Sequence, residues 1–253
     1  MDKSVSVDLN CDLGESFGRY ELGQDAAMMP MITSANLACG FHAGDPDVMA
    51  RTVDLVKQHG VALGAHPGYP DLQGFGRRQM YFTANELRNL MIYQLGALDA
   101  FARASGVLMV HVKPHGALYN LAAVDREVAG AIAQAVFDFD RSLILVGLAG
   151  STLVKAGEAC GLRVANEGFP DRAYLPDGHL MPRDQQGAVL HDPQAVAENA
   201  LGLVKDGIQI DGKKVSIDTL CLHGDNENAV ENALVVRQVL TAEGVIISAL
   251  VCA

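Results

Sequence analysis

Short apolar, β-branched runs alternate with helical stretches along the whole chain. The runs predict strands at residues 4–10, 33–38, 61–66, 108–113, 143–147, 162–166, 219–223 and 245–251. Several read as continuous apolar segments rather than strict alternation, as parallel strands covered on both faces do. Helix punctuation lies between them. Asp45–Pro46 supplies an N-cap oxygen and a fixed φ ahead of a helix stopped by Gly60, and Asp192–Pro193 repeats the device ahead of one ending near Gly207. Thr83-Ala84-Asn85-Glu86 is a capping box opening a helix that ends near Gly106. Asp225 or Asn226 is expected to cap a last helix ending at Gly244.

This alternation fits either an open doubly wound sheet or a closed barrel. Polar residues fall at the C-terminal ends of most strands. An open sheet focuses its site at one switch point, whereas a barrel brings every strand end to one mouth. The expected fold is therefore α/β, a TIM-like (β/α) barrel of seven or eight strands. No Pro/Ser-rich linker or shift of composition divides the chain, so residues 1–253 are expected to form a single domain. Residues 67–82 and 167–191 break the rhythm, and loops of that length in a compact domain are usually lids or binding loops.

Composition acts mainly by exclusion. With 49% hydrophobic and 19% charged residues the chain is globular rather than disordered. A net charge of -11 argues against nucleic acid or an anionic membrane as partner, and the absence of Trp removes indole stacking surfaces. The N-terminus lacks a signal-peptide core, and the five cysteines have no C-x-x-C spacing; both point to a cytoplasmic protein with reduced thiols.

The first strand ends V-D-L-N-C-D-L-G-E, and its period of two places Asp8, Asn10 and Asp12 on one face, with Glu15 beyond. Three polar side chains on an inner strand are costly unless they bind one another or something else, and clustered carboxylates favour a cation or a proton. The second strand leads to Asn36 and His42, followed by Asp45, which reads more simply as a helix cap. The third ends at His66 and enters the first lid, where Arg77 and Arg78 either reach a substrate anion or form a solvated pair. The fourth ends with Lys113 and His115, two apart and facing one way; Lys113 serves as an anion site or as an ion-pair partner of the first strand's carboxylates. The second lid offers Glu167, Asp171, Arg172 and Tyr174, and the seventh strand delivers His223 and Asp225, again a possible cap. Four histidines at separate strand ends can bind a divalent metal or act as general acid and base, and spacing does not choose between them. Residues 207–214 nearly spell a phosphate loop but carry Lys214 where Ser or Thr belongs, between a helix and a strand rather than the reverse; a hairpin-like turn is the better reading.

The segments DLNCDLGE from Asp8, NLACGFHAGDP from Asn36, GAHPGYPDLQGFGRR from Gly64, VKPHGALYN from Val112, EGFPDRAY from Glu167 and LHGDN from Leu222 together resemble the LamB/YcsF family of 5-oxoprolinase A subunits. They run in the family's order across nearly the whole chain. Gly168 and Pro170 depart from the Ala common there, which changes lid stiffness and removes no reactive group. The resemblance implies a barrel related to the polysaccharide deacetylase-type barrels. It also implies a hydrolase that opens a cyclic amide, 5-oxo-L-proline, to L-glutamate with hydrolysis of ATP to ADP and phosphate, in a complex with 5-oxoprolinase subunits B and C. ATP and a divalent cation such as Mg2+ are the implied cofactors. In that setting Asp12, Glu15, His42, His66 and His115 would be catalytic, with Asp8 and Asp12 holding the cation. Asn10, Asn36, Arg77, Lys113, Arg172 and His223 would bind substrate or neutralise its anion. The residues alone leave two other readings open: a metal-dependent amide or N-acetyl hydrolase that works without ATP, and a non-catalytic binding subunit of a multisubunit enzyme.

Overall fold

The computed structural model describes residues 5–182, 185–224 and 228–251. In chain order the elements are β1 (Ser6–Leu13), α1 (Asp25–Met28), β2 (Ser34–Ala38), α2 (Pro46–His59), β3 (Ala62–His66), α3 (Ala84–Ala104), β4 (Met109–Val112), α4 (Gly116–Ala122) and α5 (Arg126–Phe139). They continue as β5 (Ile144–Leu148), α6 (Thr152–Cys160), β6 (Arg163–Gly168), α7 (Pro193–Asp206), β7 (Ile208–Ile210), β8 (Lys213–Val215), β9 (Thr219–Leu222), α8 (Ala229–Ala242) and β10 (Ile246–Ile247). Strands β1 to β6 pair in parallel in chain order, β9 follows β6, and β9 bonds back to β1 to close a ring of seven. The strand expected at 245–251 contracts to β10, which among the described residues pairs only with Ser6 and Val7, because from Asp8 onward β1 is already bonded to β9. β7 and β8 form a separate antiparallel hairpin. Its turn residues Asp211 and Gly212 have φ of 50° and 73°, the left-handed pair that a tight Asp-Gly turn requires.

The helix starts follow their capping chemistry. Asp45 accepts from the backbone N–H of Asp47 and Val48, Asp192 from that of Ala195, and Thr83 and Glu86 satisfy one another's backbone donors. The cap expected at Asp225 or Asn226 lies outside the described residues. No helix among the described residues is long and apolar enough to cross a membrane.

Alternation along the strands separates two environments. Leu9, Leu13, Leu37 and Leu63 join Met28, Val53, Met91, Leu95 and Val136 in the main apolar core between the ring and its helices. Burying each such side chain stabilises by about 1.5–3 kcal/mol. Inside the ring, Asp8, Asn10, Ser34, Asn36, His66, His111, Lys113, Glu167 and Thr219 are buried polar groups, beside a small apolar cluster of Ile144, Val146 and Ala165. Register slips where Gly64 meets β4, and a Cβ at Gly64 would lie 2.0 Å from His111 Nε2. The imidazole occupies the space a side chain there would need.

Candidate active site

Polar contacts climb the inside of the ring in three tiers. At the bottom, Asp8 accepts from the hydroxyls of Thr33 at 2.7 Å, Ser34 at 2.6 Å and Thr219 at 2.5 Å. Burial pushes its carboxyl above the ordinary range, against the pull of those hydroxyls. Asp8 therefore does not share a cation with Asp12 as expected: four residues of strand put roughly 13 Å of rise between them. They share a face, but at different depths.

In the middle tier Asn36 donates to Asn10 Oδ1 at 2.7 Å and Asp12 Oδ1 at 2.9 Å, and accepts from His111 Nε2 at 2.6 Å. Asn10 in turn donates to Glu167 Oε1 at 3.1 Å and Thr219 Oγ1 at 2.7 Å. Lys113 Nζ sits among Glu167 Oε1 at 2.7 Å, Asp12 Oδ1 at 3.0 Å and Asn10 Oδ1 at 3.1 Å. Burial works against its charge, but Asp12 and Glu167 outweigh burial and hold the ammonium well above its ordinary pKa. Of its two sequence readings, the ion pair with the first strand is the one realised, with Glu167 added. Tyr119 donates to the second oxygen of Glu167 at 2.6 Å.

The top tier faces the mouth. Glu15, His42, His66 and His115 each bring one ligand atom into a group whose members lie within 4.8 Å of one another, a possible metal-binding cluster. His66 Nε2 is 2.9 Å from His115 Nδ1 and 3.2 Å from Asp12 Oδ2. Glu15 Oε1 is 3.3 Å from His42 Nε2 and 3.5 Å from His115 Nδ1. The rings of His42 and His115 stack with centroids 3.7 Å apart. Burial opposes Asp12's charge, yet His66 and Lys113 hold its carboxyl well below the ordinary range. Burial also lowers His42 well below the usual imidazole value and His115 to about 3, with the neighbouring imidazoles adding to it.

Above the cluster opens a pocket of about 260 Å3 whose lining includes Asp12, Glu15, His66, Arg77, Lys113, His115, Phe169, Arg172 and His223. The first lid divides its arginines. Arg78 pairs with Asp71 inside the lid, whereas the Arg77 guanidinium lies 5.1 Å from the Phe75 ring centroid at the pocket. Arg172, expected to bind an anion, donates to the carbonyls of Ala188 at 3.3 Å and Met181 at 2.5 Å, so it also braces the second lid. His223 Nδ1 donates to Asp171 Oδ2 at 2.7 Å; a neutral ring then keeps its lone pair on Nε2.

Sequence reasoning put Glu167 in the lid and overlooked His111, Tyr119 and Thr219 as members of the network. β6 runs two residues past its predicted end, and the alternation Ala165, Glu167 carries the carboxylate inside. The same alternation through His111 and Lys113 could have flagged the imidazole. Nothing local marks Tyr119, which reaches Glu167 from α4. The pairing of Asp171 with His223 joins two motifs 52 positions apart and had no local signal either.

Known proteins resemble the chain over nearly its whole length. The profile of the LamB/YcsF family matches residues 7–252. A protein of Syntrophobacter fumaroxidans, named as the A subunit of 5-oxoprolinase, is 55% identical over 245 residues, covering 95% of this chain and 97% of that one. The crystal structure of a lactam utilization protein from Thermus thermophilus superposes with a TM-score of 0.90 at 48% identity, covering 96% and 99% of the two chains. A peptidoglycan N-acetylglucosamine deacetylase superposes with a TM-score of 0.51 at 13% identity over 98% of this chain and 87% of its own, a likeness of fold alone.

Proposed function

Because this chain belongs to the LamB/YcsF family, we propose that it is the A subunit of a 5-oxoprolinase and opens the lactam ring of 5-oxo-L-proline to L-glutamate, coupled to ATP hydrolysis. The observation that carries the reading is its likeness to proteins of that name, and the mouth is chemically suited to the task. A five-membered lactam is a stable amide, so its hydrolysis gains from activation of the carbonyl oxygen by phosphoryl transfer before water adds at the carbonyl carbon. The ring nitrogen must then receive a proton as the C–N bond breaks, and a second water hydrolyses the glutamyl phosphate so formed to glutamate and phosphate.

The residues divide these tasks. Arg77 at the pocket rim would neutralise the substrate carboxylate. His223, its proton fixed on Nδ1 by Asp171, presents Nε2 to take a proton from water and return one to the ring nitrogen. Lys113 and Asn36 donate to Asp12 at the floor of the mouth, and Asn10 accepts from both of those donors. A divalent cation, where bound, would be held by Glu15, His42 and His115 with His66 and would polarise the lactam oxygen or water. The lining sets the carboxylates of Asp12, Glu15 and Asp25 against Arg77, Lys113 and Arg172, with Lys113 already committed to Asp12 and Glu167, so we assign the seat of ATP to the assembly with subunits B and C, placed to present its terminal phosphate to this mouth.

Reconstituting the chain with subunits B and C and measuring glutamate and phosphate release tests the reading. The expectation is one phosphate per glutamate and no turnover without ATP. ATP-independent turnover would instead favour a metal-dependent amide hydrolase, the second reading, which the four-residue cluster supports. Full turnover by a complex carrying Asp12→Asn and His223→Gln would reduce the chain to a binding subunit.

A further inference from the structure

The innermost imidazoles have already committed their donors. A carbonyl oxygen only accepts, so His66 donates from Nδ1 to Lys113 O at 2.7 Å, and His115 donates from Nε2 to Phe75 O at 2.8 Å. In neutral rings the lone pairs are then on His66 Nε2 and His115 Nδ1, and these atoms face each other at 2.9 Å. Two lone pairs at that distance repel. Glu15 Oε1 and Asp12 Oδ2 add further electron-rich atoms at 3.5 Å from His115 Nδ1 and 3.2 Å from His66 Nε2. His42 Nδ1 is buried without a partner, which leaves Nε2, facing Glu15, as that ring's usable nitrogen. Something positive belongs at the centre of this group, either a shared proton or a metal ion.

We infer that Glu15, His42, His66 and His115 form a site for a nitrogen-preferring divalent transition metal of the Zn2+ or Co2+ class, and that Lys113 O and Phe75 O lock its central ligands in the metal-ready tautomer. The dimensions agree. A tetrahedral ion with bonds of about 2.0–2.1 Å separates its ligand atoms by roughly 3.3 Å, and the separations here run from 2.9 Å to no more than 4.8 Å. The donor set decides the class. Mg2+ takes oxygen ligands in an octahedron and keeps several waters, whereas three imidazoles and one carboxylate suit Zn2+ or its transition-metal neighbours. A backbone carbonyl behind a ligating imidazole is the outer-shell support that fixes ring orientation. The Mg2+ expected from resemblance is thus replaced by a softer ion, and Asp8 has no place in its shell.

The inference stands on the cluster and does not require the 5-oxoproline reading. Its test is titration calorimetry of the chelator-stripped chain with Zn2+, Co2+ and Mg2+. Zn2+ and Co2+ are expected to bind at one equivalent, Co2+ with a visible d–d absorption band, and Mg2+ at least about 100-fold more weakly. Glu15→Gln and His66→Gln should each weaken Zn2+ binding at least tenfold, the lower end of what loss of even an outer-shell partner costs, with circular dichroism verifying the fold. The titration of the unmodified chain decides the matter even if a variant fails to fold. Equal affinity for Mg2+ and Zn2+, no stoichiometric binding, or Zn2+ affinity unchanged in both folded variants would overturn it. So would imidazole nitrogen-15 spectra showing His66 doubly protonated in a chain equilibrated with Zn2+. Metal binding without 5-oxoproline turnover in the full complex would overturn the functional reading and leave this one intact.

Discussion

Lys113→Met removes one buried charge and almost no volume, which makes it the sharpest probe of the middle tier. The ammonium lies 2.7 Å from Glu167 Oε1 and 3.0 Å from Asp12 Oδ1. At an effective dielectric of about 20 each attraction is on the order of 6 kcal/mol before desolvation is subtracted. Most of that is cancelled in the native chain, because all three groups left water to reach the ring. The variant loses the attraction but keeps the desolvation of the carboxylates. Removing one partner of a buried pair costs about 3–5 kcal/mol, which for a chain of this size lowers Tm by roughly 6–20 °C. Glu167 should bear most of the damage, since it is fully buried while Asp12 is half-buried and still faces His66. Glu167→Gln in the Lys113→Met background is therefore expected to recover about half the deficit, because Gln still accepts from Asn10 and removes the stranded charge. Urea unfolding of the four corners of this cycle gives the coupling directly. A single-variant cost under about 1 kcal/mol, or purely additive corners, would refute the reasoning.

Three further outcomes follow from the geometry. Gly64→Ala drives a methyl into His111 and should cost at least about 1–3 kcal/mol; thermal melts should find that cost largely gone in a His111→Ala background, and an equal cost in both backgrounds would show the clash is irrelevant. Asp171→Asn lets His223 adopt the wrong tautomer, so kcat in the reconstituted complex should fall by about 10²- to 10⁴-fold with little change in KM or melting temperature; unchanged kcat would remove the pair from the chemistry. Thr83→Ala breaks the capping box and should cost about 1 kcal/mol in melting experiments while leaving turnover per folded molecule unaltered, since the cap lies on the outer helix α3.

The barrel was legible because its signals are local. Asp-Pro and Thr-x-x-Glu starts, apolar runs and a polar residue at most strand ends are readable without any long-range contact, and α2, α3 and α7 begin where those signals put them. Asp8, Asn10 and Asp12 were rightly placed on one face, because strand alternation is geometric. Their separation along that face, roughly 13 Å for four residues, was readable too; which partners each would meet was not. It depends on where β9 and β2 stand against β1, and that register alone gives Asp8 to the hydroxyls of Thr33, Ser34 and Thr219 and Asp12 to the mouth. Charge partners were likewise partly hidden: Lys113 advertised its need for an anion, but only ring closure brings Glu167 to it. His66 and His115 could be grouped from sequence as residues at strand ends. Their tautomers could not, because the carbonyls of Lys113 and Phe75 that set them become neighbours only in the folded chain.

The seam between β1 and β9 reverses the order in which the molecule is made and completed. β1 leaves the ribosome before the other strands of the ring, yet its partner on the closing side is the last of them: Asp8 and Thr219, hydrogen-bonded across the seam, are 211 positions apart. At translation speeds of about 5–20 residues per second that is a wait of roughly 10–40 s. Throughout it the nascent chain carries an open strand edge, with Asn10 and Asp12 facing a cavity that has no far wall. A ribosome stalled before β9 would therefore release a product with helices and most of its strands but no finished mouth, and a long-range closure of this kind is slow even once the whole chain is free. The strand of the ring made before all the others is among the last to be completed, so a finished mouth in each molecule also reports that its synthesis ran through to the final strand of the ring.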